Sequence, residues 1–95
     1  MTHYELMMIL DPSIGENALS SSITGVKNAL EESGAKITEE NIWGEKKLAY
    51  KLHGSERGYY TLFQLELDGK KIKKLNDIIN LDKNIWRYMF VNLEA

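Results

Sequence analysis

Apolar residues in this chain switch their spacing from every second position to every third or fourth and back again, and this switching constrains the fold more than any single motif. Tyr4-Glu-Leu-Met-Met-Ile-Leu10 is a short apolar run stopped by Asp11-Pro12, which reads as a strand buried on most of both faces. Leu19, Ile23, Val26 and Leu30 then recur at the four-three-four spacing of one helical stripe. Ser13 with Glu16 matches a capping box and Gly34 supplies a left-handed stop, so the spacing predicts a helix from about Ile14 to about Ser33.

From Lys36 to His53 the chain is too rich in alternating, β-branched and aromatic positions for a helix. Leu48, Tyr50 and Leu52 fall on one face, with Lys47, Lys51 and His53 on the other. Gly44 marks a bulge or bend in this long strand. His53-Gly-Ser-Glu-Arg-Gly58 is read as the turn, and Tyr59 to Leu67 as a third strand with strict alternation. Asp68-Gly69 opens a second helix along Ile72, Leu75 and Ile79, with Ile78 beside them. Ile85 to Leu93 is aromatic and β-branched enough to be a closing strand.

The order β-α-β-β-α-β defines an α+β, ferredoxin-like sandwich: a four-stranded antiparallel sheet with two helices on one face and the first and third strands at its centre. Ninety-five residues suit one domain, residues 1–95. Since helices cover one face only, the other meets solvent or a partner. Alternation puts Met7, Ile9, Leu62, Met89 and Val91 on that open face, an apolar concentration that predicts burial against another macromolecule.

Charge is unevenly spread. The net −2 divides into −6 over residues 1–45, with two basic and eight acidic groups, and +4 over residues 46–95, with ten basic and six acidic. The total argues against a nucleic-acid binder and the asymmetry argues for one, because a polyanion responds to the local field. Lys46, Lys47 and Lys51 interleave with Trp43, Leu48 and Tyr50, joining phosphate-seeking charge to stackable rings. The same lysines would equally protect an edge strand from aggregation. Lys70, Lys71, Lys73 and Lys74 read instead as a solvated helix face.

Little here supports catalysis. No cysteine is present, so thiol chemistry and thiolate metal sites are excluded. His3 and His53 have no third ligand at metal spacing, the carboxylate neighbours Glu31-Glu32 and Glu39-Glu40 read as solvated, and the glycines fit no phosphate-loop pattern. No catalytic residue, metal, cofactor or small-molecule substrate is expected. No apolar run approaches the roughly 18 residues of a membrane span, and Met-Thr-His-Tyr-Glu does not open like a signal peptide, so the expected address is cytoplasmic without a membrane. The RNA-recognition-motif signature is absent from Gly58-Tyr-Tyr-Thr-Leu-Phe-Gln-Leu, and Tyr60 and Phe63 fall on opposite faces.

Four segments together carry a resemblance: Tyr4-Glu5, Trp43-Gly44 followed by Lys46-Lys47-Leu48-Ala49-Tyr50, Gly58-Tyr59-Tyr60, and Asn84-Ile85-Trp86-Arg87-Tyr88. In order and spacing, and over essentially the whole chain, they resemble the bacterial small-subunit ribosomal protein six family. The resemblance implies a non-enzymatic domain of the small ribosomal subunit that pairs with small-subunit ribosomal protein eighteen and binds the central domain of 16S ribosomal RNA. It implies RNA-facing positions at Tyr4 and Arg87, with Lys46 and Lys47 as further phosphate contacts. Trp43, Leu48, Tyr50, Tyr60, Leu62 and Met89 are the expected partner-binding residues. Thr2, Glu45-Lys46 and Lys51 stand where the family often has a basic residue, two arginines and a proline. The first two changes remove positive charge, which implies greater dependence on the partner for RNA affinity. No acidic tail follows Leu93, unlike in some relatives.

A rival expectation is a ferredoxin-like self-associating or ligand-sensing module that uses the same open face but leaves the Trp43–Tyr50 segment without a role. An acyl-phosphate enzyme would need an arginine in a phosphate-cradling loop, for which Arg57 is the faint candidate.

Overall fold

The computed structural model describes residues 1–94. Strand β1 (Thr2–Leu10) sends Tyr4, Leu6, Met8 and Leu10 to the helix side, where each is buried. Asp11 ends it by accepting the Ser13 amide at 2.9 Å, which turns Pro12–Ile14 into a single 3-10 turn. Helix α1 (Glu16–Glu32) follows with Gly15 at its N-cap and no capping side chain. The capping box expected from Ser13 and Glu16 therefore does not form, because Asp11 has already drawn Ser13 into the preceding turn.

Leu19, Ile23, Val26 and Leu30 form the buried stripe of α1 as expected, joined by Ser22 and Ala29. At its end Gly34, at φ 86°, lets its own amide reach the Glu31 carbonyl and the Ala35 amide reach the Leu30 carbonyl, both at 3.0 Å. These two bonds satisfy carbonyls the helix would otherwise leave open, and Ala35 packs into the core beside Leu30.

Strand β2 (Lys36–Leu52) pairs with β3 (Ser55–Leu67), its register slipping at Thr38 and again at Trp43 beside Gly44. The ladder closes at Leu52 opposite Ser55, leaving only His53 and Gly54 as the turn, at φ 51° and 76°. The turn is thus two residues rather than the six expected, and β3 starts earlier than Tyr59. Two positive φ values match the right-handed twist of the flanking strands, which is why so short a connection works. Histidine in that conformation costs roughly 1–2 kcal/mol.

Asp68 caps a second 3-10 turn, Gly69–Lys71, by accepting the Lys70 amide, and α2 (Ile72–Asn80) continues from it. Leu75 and Ile79 are buried against the sheet while Ile78 stays exposed at its flank. Strand β4 (Ile85–Asn92) completes a sheet of order β2-β3-β1-β4, with β1 antiparallel to both of its neighbours. The core lies between this sheet and the helices, centred on Phe63, Leu6, Met8, Leu65 and Leu75, all without solvent exposure.

Candidate functional site

On the face away from the helices, register places side chains in rows across the sheet. The central row is Leu62 on β3, Met7 on β1 and Met89 on β4, each paired with its neighbour. Met7 and Leu62 are half-buried and Met89 is 51% exposed. Val91 extends this apolar strip along β4, beside Glu5 and Gln64 on the next row. The expected open apolar face is therefore present, with one correction.

Ile9 belongs to that face by parity but is only 6% exposed. The reason is Gly58, its diagonal neighbour on β3. A Cβ built there would stand 2.6 Å from Ile9 Cγ2 and 3.1 Å from Leu48 Cδ2, so the absent side chain is the space in which Ile9 and Leu48 meet. Leu48 is 9% exposed and is spent on this contact. Its expected role in binding a partner is corrected accordingly.

Beyond Lys47 the β2 ladder is interrupted until Leu52, and the freed arm folds back over the end of the sheet to the opposite edge strand. There the Tyr50 hydroxyl accepts from Arg87 Nη1 and the guanidinium lies 5.8 Å from the Tyr50 ring centroid. The His53 ring stacks on Trp86 at 5.1 Å with planes 16° apart. Nothing in local periodicity announces this arm, because its contacts join residues 50–53 to residues 86–87. The one usable signal was Gly58, placed where an alternating strand would otherwise carry a large residue.

The other expected positions divide. Arg87 pairs with Ile9 and is exposed on the open face, and Tyr60 is half-buried on the other side of Ile9. Lys46, opposite Gly58, lies on the same face, roughly 15 Å across three strand spacings from Arg87. Lys47 pairs with Arg57 and so has the opposite parity, while Trp43 sits in the bulge, 50% exposed. Tyr4 is corrected outright: it is 9% exposed within the core, edge-on to Phe90, with its hydroxyl over Gly69. It shares parity with Leu6, Met8 and Leu10, all of which point to the helices.

The open face is electrically polar along the strands. Its β1-C-terminal end carries Lys46, Arg87 and aromatic rings, whereas its other end carries Glu5, Glu39 and Glu66 against the single cation Lys36 opposite Glu66. Among the described residues ion pairs form between Lys27 and Glu40 at 2.8 Å and between Arg57 and Glu45, so Lys46 and Arg87 keep their charge uncompensated. Arg57, engaged in this way, holds no phosphate-cradling loop. Lys70, Lys71, Lys73 and Lys74 are all exposed in the helix layer. Among the described residues no group of three or more His, Asp or Glu side chains converges as a metal-ligand set, and no helix is long and apolar enough to cross a membrane.

A two-layer sandwich with an uncovered apolar face rimmed by free cations and aromatic rings has the surface of an interaction protein and no site for catalysis among the described residues. The family model described as "Ribosomal protein S6" matches residues 3–92, and the chain belongs to that family of small-subunit ribosomal proteins. It is 30% identical to the small ribosomal subunit protein bS6 of Acidothermus cellulolyticus over 95 residues, covering 100% of this chain and 99% of that protein. Against the Corynebacterium aurimucosum protein of the same name identity is 33% over 87 residues, covering 92% and 91%. The crystal structure of 30S ribosomal protein S6 from Thermotoga maritima superposes with a TM-score of 0.91 at 26% identity, covering 96% of this chain and 86% of that one. These relatives are structural proteins of the ribosome, so the chain's role is structural and not enzymatic.

Proposed function

We propose that this chain binds the central domain of 16S ribosomal RNA as one half of a heterodimer with small-subunit ribosomal protein eighteen. The observation that carries the reading is the uncovered row Leu62–Met7–Met89 with the uncompensated cation Arg87 beside it and Lys46 farther along the same face. Apolar area of this kind needs a protein to close it, and the neighbouring charge suits a phosphate backbone at the edge of that contact. Leu62 and Met89, with Trp43, Tyr50 and Tyr60 around them, form the protein contact. Lys46 and Arg87 contact phosphates from the open face, and Lys47 reaches the same backbone from the other side of the edge strand β2. Tyr4 and Leu48 take no part, being buried.

Few cations and a net charge of −2 give the isolated chain little counterion release on binding RNA. Filter binding of a central-domain RNA fragment tests this at two salt concentrations. We expect weak retention by the chain alone and tight, salt-sensitive retention once the partner is added. Replacing Lys46, Lys47 and Arg87 together by alanine is expected to reduce the slope of log affinity against log salt by about 2–3. Tight binding by the lone chain, an unchanged slope, or a stable homodimer without affinity for the RNA contradicts the reading.

A further inference from the structure

The stacked pair at the hairpin tip is not explained by the contacts assigned so far. His53 is the one non-glycine residue at positive φ among the described residues, in a turn whose first position Asn or Asp fills more comfortably. Residues held in costly backbone conformations cluster at functional sites. Its imidazole is exposed and lies over the half-buried indole of Trp86, so the hairpin tip and β4 together present a flat, two-ring stack.

Below this stack the last turn of α2, the loop after it and the start of β4 wall a groove of about 540 Å³. Lys83 and Arg87 stand on the groove, and neither forms an ion pair among the described residues. The Tyr50 hydroxyl accepts from Arg87 and so orients its guanidinium without neutralising it. Asn80 and Asp82 add an amide and a carboxylate. Asp82 already accepts the Asn84 amide at 2.9 Å, which fixes it in place.

A stack of rings, cations at its side and a fixed acceptor are the chemistry that recognises an unstacked nucleotide. A base within a duplex is sealed by its neighbours and offers no free ring face, whereas a splayed base offers its whole π-surface and its pairing edge. We infer that this groove holds a single unpaired nucleotide of RNA. Its base adds a third layer to the Trp86–His53 stack, its phosphate lies by Lys83 and Arg87, and an exocyclic amine donates to Asp82. The inference rests on the chain being an RNA-binding ribosomal protein and adds the kind of RNA element that this end of the molecule reads.

Two measurements test it separately. NMR on the full chain alone, titrated with an oligoadenylate pentamer, follows the indole N–H of Trp86 against that of Trp43 and uses an abasic ribose-phosphate pentamer as control. We expect the Trp86 and His53 ring signals to move with oligoadenylate and not with the abasic strand. Equal movement with both shows attraction by charge alone and overturns the stacking. The second measurement places His53→Asn in the heterodimer with protein eighteen. Asparagine suits the turn, so the melting temperature should hold or rise, while affinity for the central-domain fragment falls roughly tenfold for the lost stack. Unchanged RNA affinity in this variant overturns the inference even if the heterodimer binds RNA well. Failure of the unsubstituted heterodimer to bind at all contradicts the function proposed above, a result distinct from either outcome.

Discussion

Replacing Phe63 with alanine is expected to lower the unfolding free energy by about 3–5 kcal/mol, a large share of the roughly 5–15 kcal/mol typical of a domain. Phe63 has no solvent exposure and sits on the central strand β3, between Leu6 of β1 and Glu40 of β2. Removing its ring leaves a cavity that no neighbour can fill, because the core around it is held by both helices and two strands at once. Urea denaturation checks this directly: the midpoint should fall by roughly 2 M with the slope little changed. A loss under about 1 kcal/mol would mean that the sheet does not bury this residue as described.

The second large effect concerns association and should leave the fold alone. Met89 is 51% exposed on the edge strand β4, so Met89→Asp should change unfolding free energy by no more than about 1 kcal/mol. In a heterodimer that closes the Leu62–Met7–Met89 row, the new carboxylate would be stripped of water without a partner, at a cost of about 2–4 kcal/mol. Association with protein eighteen should then weaken about 30- to 1,000-fold by calorimetry. Retained affinity in a variant of unchanged melting temperature would show that the partner docks elsewhere.

Phe63 and Leu62 are adjacent in the chain and serve opposite faces, and this much was legible from alternation alone. The α1 stripe and the Gly44 bulge were legible for a like reason, each depending on a local period or on one glycine, and the strand order followed from the succession of elements and the handedness of their crossovers. Ser13 misled because its capping pattern competes with Asp11-Pro12, and the nearer side chain wins the amide. Tyr4 shows a different failure. It shares parity with Leu6 and Met8, so alternation puts it on the helix side, against the RNA-facing role implied by the family resemblance.

Ile9 and Leu48 could not be placed from periodicity, since their burial depends on a hairpin arm folding back across the sheet. That arm is fixed by pairs far apart in sequence, Tyr50 with Arg87 and His53 with Trp86. Non-local contacts of this kind leave no repeat for a reader to count. The consequence for the site is specific: the open apolar face is narrower than alternation implied, and its basic end is crowned by aromatic rings.

The most direct test of the account follows the four methionine methyl groups by NMR as protein eighteen is added. Met7 and Met89 lie on the open face, while Met8, with no solvent exposure, reports from beneath the helices on the neighbouring position of the same strand. The Met7 and Met89 methyl signals should move on complex formation while that of Met8 keeps its place. A complex that forms while Met7 and Met89 stay unchanged would contradict the claim that this face is where the chain is built into its assembly.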